Sequence, residues 1–75
     1  MFKIKEGFSP KDLGFVKKDC DYVYYGEVDG LKKVVFTVYM GASYLRYSKT
    51  AYVTEEQLKL IYDWAKQDLI EWESL

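Results

Sequence analysis

The sequence predicts an α+β fold: an antiparallel meander sheet of three to four strands, one face covered by a C-terminal helix, with a short helical turn near the N-terminus. Three observations lead there. Two β-rich runs flank Asp29-Gly30, a pair that favours the two-residue turn matching strand twist. Thr54-Glu55-Glu56-Gln57 is a capping box that opens a long amphipathic stretch. The 75 residues are 49% hydrophobic and 19% aromatic, enough apolar surface to offset chain entropy in one small domain spanning 1–75.

Phe2 and Ile4 alternate with Lys3 and Lys5, which predicts a first strand. Ser9-Pro10-Lys11-Asp12-Leu13-Gly14 reads as one helical turn. Ser9 is placed to cap it, Pro10 suits the first position because it has no N–H to satisfy, and Gly14 can take the left-handed stop. Phe15 to Lys18 is a short strand, and the polar run from Lys17 to Asp21 is a loop or bulge.

The Asp29-Gly30 turn sets a register in which Val28 faces Leu31, Glu27 faces Lys32, Tyr25 faces Val34 and Val23 faces Phe36. Opposite charges then meet at Glu27 and Lys32. Val23, Tyr25, Val34, Phe36, Val38 and Met40 fall on one face, the more apolar, which is expected to meet the helix. Tyr22, Tyr24, Leu31, Lys33, Val35, Thr37 and Tyr39 fall on the other, which is expected to stay half exposed.

Gly41-Ala42-Ser43 is the next turn, and Tyr44 to Ser48 a third long strand. Val53 precedes the capping box and is placed to staple onto Leu58. The helix is expected from Glu55 to Glu73, with Leu58, Ile61, Tyr62, Ala65, Leu69 and Trp72 as its sheet-facing stripe.

Net charge is −1, which as a whole-molecule property points to neither a nucleic-acid nor a membrane partner. Its distribution is uneven: residues 1–53 carry nine Lys/Arg and six Asp/Glu (+3), and residues 54–75 carry two and six (−4). No run approaches the roughly 18 apolar residues of a membrane span, and the start has no signal-peptide core, so the expected location is cytoplasmic. The single cysteine, Cys20, forbids an internal disulfide and is read as a free thiol without a catalytic role.

There is no histidine, which removes the commonest general base and neutral metal ligand. The five glycines form no phosphate-binding spacing. Asp19/Asp21 flank Cys20 without the other ligands of a calcium loop, and Glu55/Glu56 complement a helix N-terminus. No catalytic residue, cofactor or metal is therefore assigned.

Two surfaces stand out. Leu60 and Trp64 lie off the helix stripe, one turn apart, with Leu75 on the same side; such a patch suits a protein contact, most simply a homodimer, unless the segment around Phe2, Ile4 and Phe8 covers it. Tyr22, Tyr24, Lys33 and Tyr39, with Tyr44, Arg46, Tyr47 and Lys49, interleave aromatic rings and cations, the pattern that stacks unpaired bases.

Leu13-Gly14-Phe15, the strand rhythm, Thr54-Glu55-Glu56-Gln57-Leu58 and Ile61-Tyr62-Asp63-Trp64 together resemble the small uncharacterised phage and prophage proteins of low-GC Gram-positive bacteria, over residues 10–73. The resemblance implies an intracellular place in a bacterial host and a binding role rather than catalysis, and it carries over no functional residue. The expected function is a small non-enzymatic protein-interaction module. The alternative is a single-stranded nucleic-acid binder using the Tyr/Lys/Arg sheet face, and a small enzyme is the third reading.

Overall fold

The computed structural model describes residues 1–48 and 54–74. The chain runs through β1 (Phe2–Ile4), a 3-10 turn (Pro10–Leu13), β2 (Val16–Lys18), β3 (Asp21–Val28), β4 (Leu31–Tyr39), β5 (Arg46–Tyr47), α1 (Glu55–Lys66) and β6 (Ile70–Trp72). It is an α+β architecture with an antiparallel four-stranded meander, β2-β3-β4-β5, and a separate antiparallel pair, β1-β6.

The segment before β5 joins the two sheets. Ile4 N–H donates to the Ser43 carbonyl at 2.8 Å, and Leu45 N–H donates to the Phe2 carbonyl at 3.0 Å. Tyr44, expected inside a long third strand, makes only an isolated bridge to Lys3, and pairing with β4 is confined to Arg46 and Tyr47. One short stretch thus serves β1 first and β4 next, so the strand is divided between two neighbours.

Local signals act as expected at the turns. Asp29 and Gly30 both take positive φ, 52° and 78°, as the turn that matches strand twist requires. Glu27 lies opposite Lys32 and Val28 opposite Leu31. In the 3-10 turn the Asp12 carboxylate accepts from Ser9 N–H at 2.7 Å, and Gly14 closes it with φ 98°. Lys17 and Lys18, read both as the end of the Phe15–Lys18 strand and as the start of the following loop, belong to β2, leaving Asp19 and Cys20 as the turn into β3.

The register departs from expectation one step beyond Tyr25. Tyr25 pairs with Val34 but Tyr24 pairs with Phe36, so Val35 is an extra residue in β4, a bulge. Val23 consequently faces Thr37 rather than Phe36. Because side chains alternate across a strand, this one residue exchanges the faces of half the hairpin. Tyr22 and Tyr24, placed outside by the sequence reading, pack on the core with Phe36 and Val38. Tyr25, placed inside, is exposed.

The helix also ends early. Gln67 caps α1, Asp68 turns left-handed with φ 63°, and Leu69 N–H returns to the Trp64 carbonyl at 3.0 Å. Lys5 pairs with the Asp68 carboxylate, and residues 70–72 then pair with β1, Ile4 opposite Ile70 and Phe2 opposite Trp72. The expected stripe, which assumed helix to Glu73, is therefore displaced. The face that α1 buries is Gln57, Ile61 and Trp64, with Leu60 packed beside it. Leu58 and Tyr62 point outward, 57% and 66% exposed.

Trp64 occupies the middle of the core, with its ring centroid 5.7 Å from Phe15, 5.2 Å from Tyr24 and 5.4 Å from Phe36. Ile4, Leu13, Val35, Val38, Leu45, Ile61 and Ile70 complete the cluster. The expected staple between Val53 and Leu58 involves a residue outside the described set.

Candidate functional site

Of the expected protein interface of Leu60, Trp64 and Leu75, the two described residues are taken up by the fold. Trp64 is 4% exposed and Leu60 packs against the core. Leu75 lies outside the described residues. The N-terminal segment contributes Ile4 and Phe2 to this packing, whereas Phe8 remains exposed.

A different apolar surface replaces it. Between α1, β5 and the β1-β6 pair lies a cleft of about 440 Å³, walled by Met1, Phe2, Phe36, Leu45, Tyr47, Ile61 and Trp72, with Arg46 as its one charged lining residue. Tyr47 reaches it from β5, with its ring 5.2 Å from Phe36. Trp72 reaches it from β6, edge-on to Phe2 at 5.0 Å, yet 63% of Trp72 remains exposed. Strand pairing of Phe2 with Trp72 holds that indole at the cleft edge. The sequence reading missed Trp72 here because it assigned residue 72 to the helix.

Leu58 and Tyr62 are exposed apolar side chains of α1, and neither lines the cleft. Glu56 stands over Gly26 of β3, and Ile61 faces the cleft.

On the face of the β1-β6 pair opposite Phe2 and Trp72, Lys3 Nζ sits 3.6 Å from Glu71 and 3.8 Å from Glu73. Hydrogen bonding to the Glu73 carboxylate, and then its negative charge, hold the Tyr44 phenol above the ordinary tyrosine range. This group ties β1, β6 and the Tyr44 segment together.

The expected nucleic-acid face is divided. Tyr22 and Tyr24 line the core, and Lys33 lies opposite Gly26 on that same face. Tyr44 joins β1, Tyr47 turns to the cleft, and Lys49 lies outside the described residues. Tyr39 and Arg46 do meet, on the face turned away from α1, with the guanidinium carbon 4.6 Å from the ring centroid. Tyr25 and Lys32, missed by the sequence reading, form a second such pair at 5.3 Å. The bulge at Val35, which has no signature in the sequence, is what puts Tyr25 there.

Cys20 is a free, exposed thiol in the β2–β3 turn. Among the described residues, no group of three or more His, Cys, Asp or Glu side chains is placed to hold a metal ion. No described helix is long and apolar enough to cross a membrane. Compared with protein-family models, curated proteins and solved structures, the chain finds no match.

Proposed function

We propose that the protein is a small non-enzymatic protein-interaction module that takes an apolar side chain of its partner into the cleft beside Trp72. The observation that carries this is Trp72 itself, a large indole left 63% exposed at the edge of a preformed cleft of about 440 Å³. Cavities of roughly 300–1,000 Å³ with apolar walls are the size that buries a compact ligand group. Tryptophan and tyrosine are the side chains most enriched where binding energy concentrates.

The resemblance to small phage and prophage proteins implies a binding role in a bacterial host, and supports the same reading. A second copy of the chain is one form such a partner takes.

The test selects binders from a displayed random-peptide library and measures sedimentation in parallel. Enriched peptides are expected to share an aromatic or large aliphatic anchor, and to lose at least tenfold in affinity for Trp72→Ala at unchanged Tm. If the protein enriches no peptide and sediments as a monomer, or if its peptides bind Trp72→Ala equally well, the reading fails.

A further inference from the structure

The sheet face turned away from α1 is a second surface, which adjoins the cleft at Arg46 and Tyr47. Alternation along β3 places Asp21, Val23, Tyr25 and Glu27 there, and strand pairing adds Lys32, Val34, Thr37 and Tyr39 from β4 and Arg46 from β5. Tyr25 and Tyr39 are both exposed. Each has a cation over its ring, Lys32 at 5.3 Å and Arg46 at 4.6 Å. The two pairs sit about 15 Å apart, at roughly 3.3 Å per strand residue. Beside the Tyr39–Arg46 pair is a hollow of about 230 Å³ lined by Asp21, Thr37, Tyr39, Arg46, Tyr47 and Ser48.

We infer that this face binds single-stranded nucleic acid, with one unpaired base lodged in the hollow against Tyr39. The chemistry of the lining matches each part of a nucleotide. Tyrosine rings offer stacking platforms that any base can use. Arg46 and Lys32 stand next to those rings, where a phosphate linking two stacked bases would lie, and among the described residues neither forms an ion pair.

Asp21 adds selectivity. An ionised carboxylate only accepts hydrogen bonds. It therefore favours a base with an exocyclic amino group, such as cytosine or adenine, over thymine, which presents a carbonyl at the corresponding position. Asp21 and Glu27 offset the charges of Lys32 and Arg46 and leave Lys18, opposite Asp21 on β2, as the surplus cation of the face, so affinity rests on stacking more than on phosphate contacts. Duplex DNA buries its base faces and does not suit this surface.

The experiment measures fluorescence anisotropy of labelled oligo(dC), oligo(dA) and oligo(dT) of about eight nucleotides, within the site sizes of sheet-based single-strand binders. The expected result is binding of oligo(dC) and oligo(dA) at least fivefold tighter than oligo(dT). Two phosphate contacts predict that raising salt from 50 to 200 mM weakens binding about sevenfold. Tyr39→Ala and Tyr25→Ala should each weaken binding at least fivefold, and Tyr39→Leu, which keeps apolar bulk without a ring, should do the same. Asp21→Asn should abolish the preference over oligo(dT). Trp72→Ala should change nothing, which separates this site from the cleft. Absence of binding at low salt overturns the inference, as does binding that survives Tyr39→Leu or that shows no preference removed by Asp21→Asn.

Discussion

Gln57 Nε2 donates a hydrogen bond to the Val35 carbonyl at 2.8 Å, which fastens the first turn of the helix to the bulge in β4. Gln57 is fully buried, and its Oε1 accepts from Thr54 N–H at 2.9 Å, so one side chain both caps α1 and anchors it. The Val35 carbonyl also accepts from Ser48 N–H at 3.1 Å. Helix, bulge and the end of β5 therefore meet at a single oxygen, and a buried polar group is satisfied at each contact.

Gln57→Met keeps the volume and removes both functions. Because Ser48 N–H still serves the Val35 carbonyl, the expected loss lies at about 1–3 kcal/mol, the range for disrupting a buried hydrogen bond and a cap. Urea unfolding measures it, and a loss below about 0.5 kcal/mol would show that the clasp is dispensable.

Trp64→Ala and Phe36→Ala should each cost about 3–5 kcal/mol, comparable with the whole stability of so small a domain. Both rings lie in the core and touch each other at 5.4 Å. Tyr62→Ser, on the exposed side of the same helix, should stay within about 0.5 kcal/mol. Thermal melts of the three variants check the contrast. A Tyr62→Ser protein that melts like Trp64→Ala would mean that the helix is rotated.

Gly26→Ala should destabilise by about 1–3 kcal/mol through overpacking. A Cβ there would stand 3.0 Å from Val35 Cγ2 and 3.4 Å from Glu56 Cγ. Trimming Val35 to Ala in the same protein should recover part of that loss, so the double mutant is expected to be more stable than the two single losses added together. Additive losses would place the clash elsewhere.

Tyr44 should titrate above the ordinary tyrosine value of about 10, because the Glu73 carboxylate favours its protonated form. The sign follows from linkage: a phenol whose proton is held more tightly in the fold stabilises the native state below the unfolded pKa, and that contribution is lost as pH rises through the folded pKa. Ultraviolet titration of the native protein against Tyr44→Phe should assign a late-titrating phenol to Tyr44. Glu73→Gln should bring it back toward the ordinary range. A phenol unmoved by Glu73→Gln would show that the carboxylate is not the cause.

The sequence by itself determined what neighbouring residues can decide. Asp29-Gly30 set the hairpin and the opposition of Glu27 to Lys32, since a two-residue loop that matches strand twist needs positive φ at both of its residues. Ser9-Pro10 and Thr54-Gln57 marked both helical starts, because capping is chemistry within one turn. Tertiary structure alone decided the rest. Val35 bulges where Gln57 and Ser48 converge on its carbonyl, and neither lies near it in the chain. That single insertion reversed the roles of Tyr24 and Tyr25, carrying one into the core and the other to the open face. The last residues read as helix because Leu69 and Trp72 continue an apolar period. Pairing with β1, more than sixty positions away, gives their backbone other partners, and so moves Trp72 to the cleft and leaves Trp64 to fill the core. Periodicity reports which residues are apolar, but the side on which each is buried depends on contacts made by distant parts of the chain.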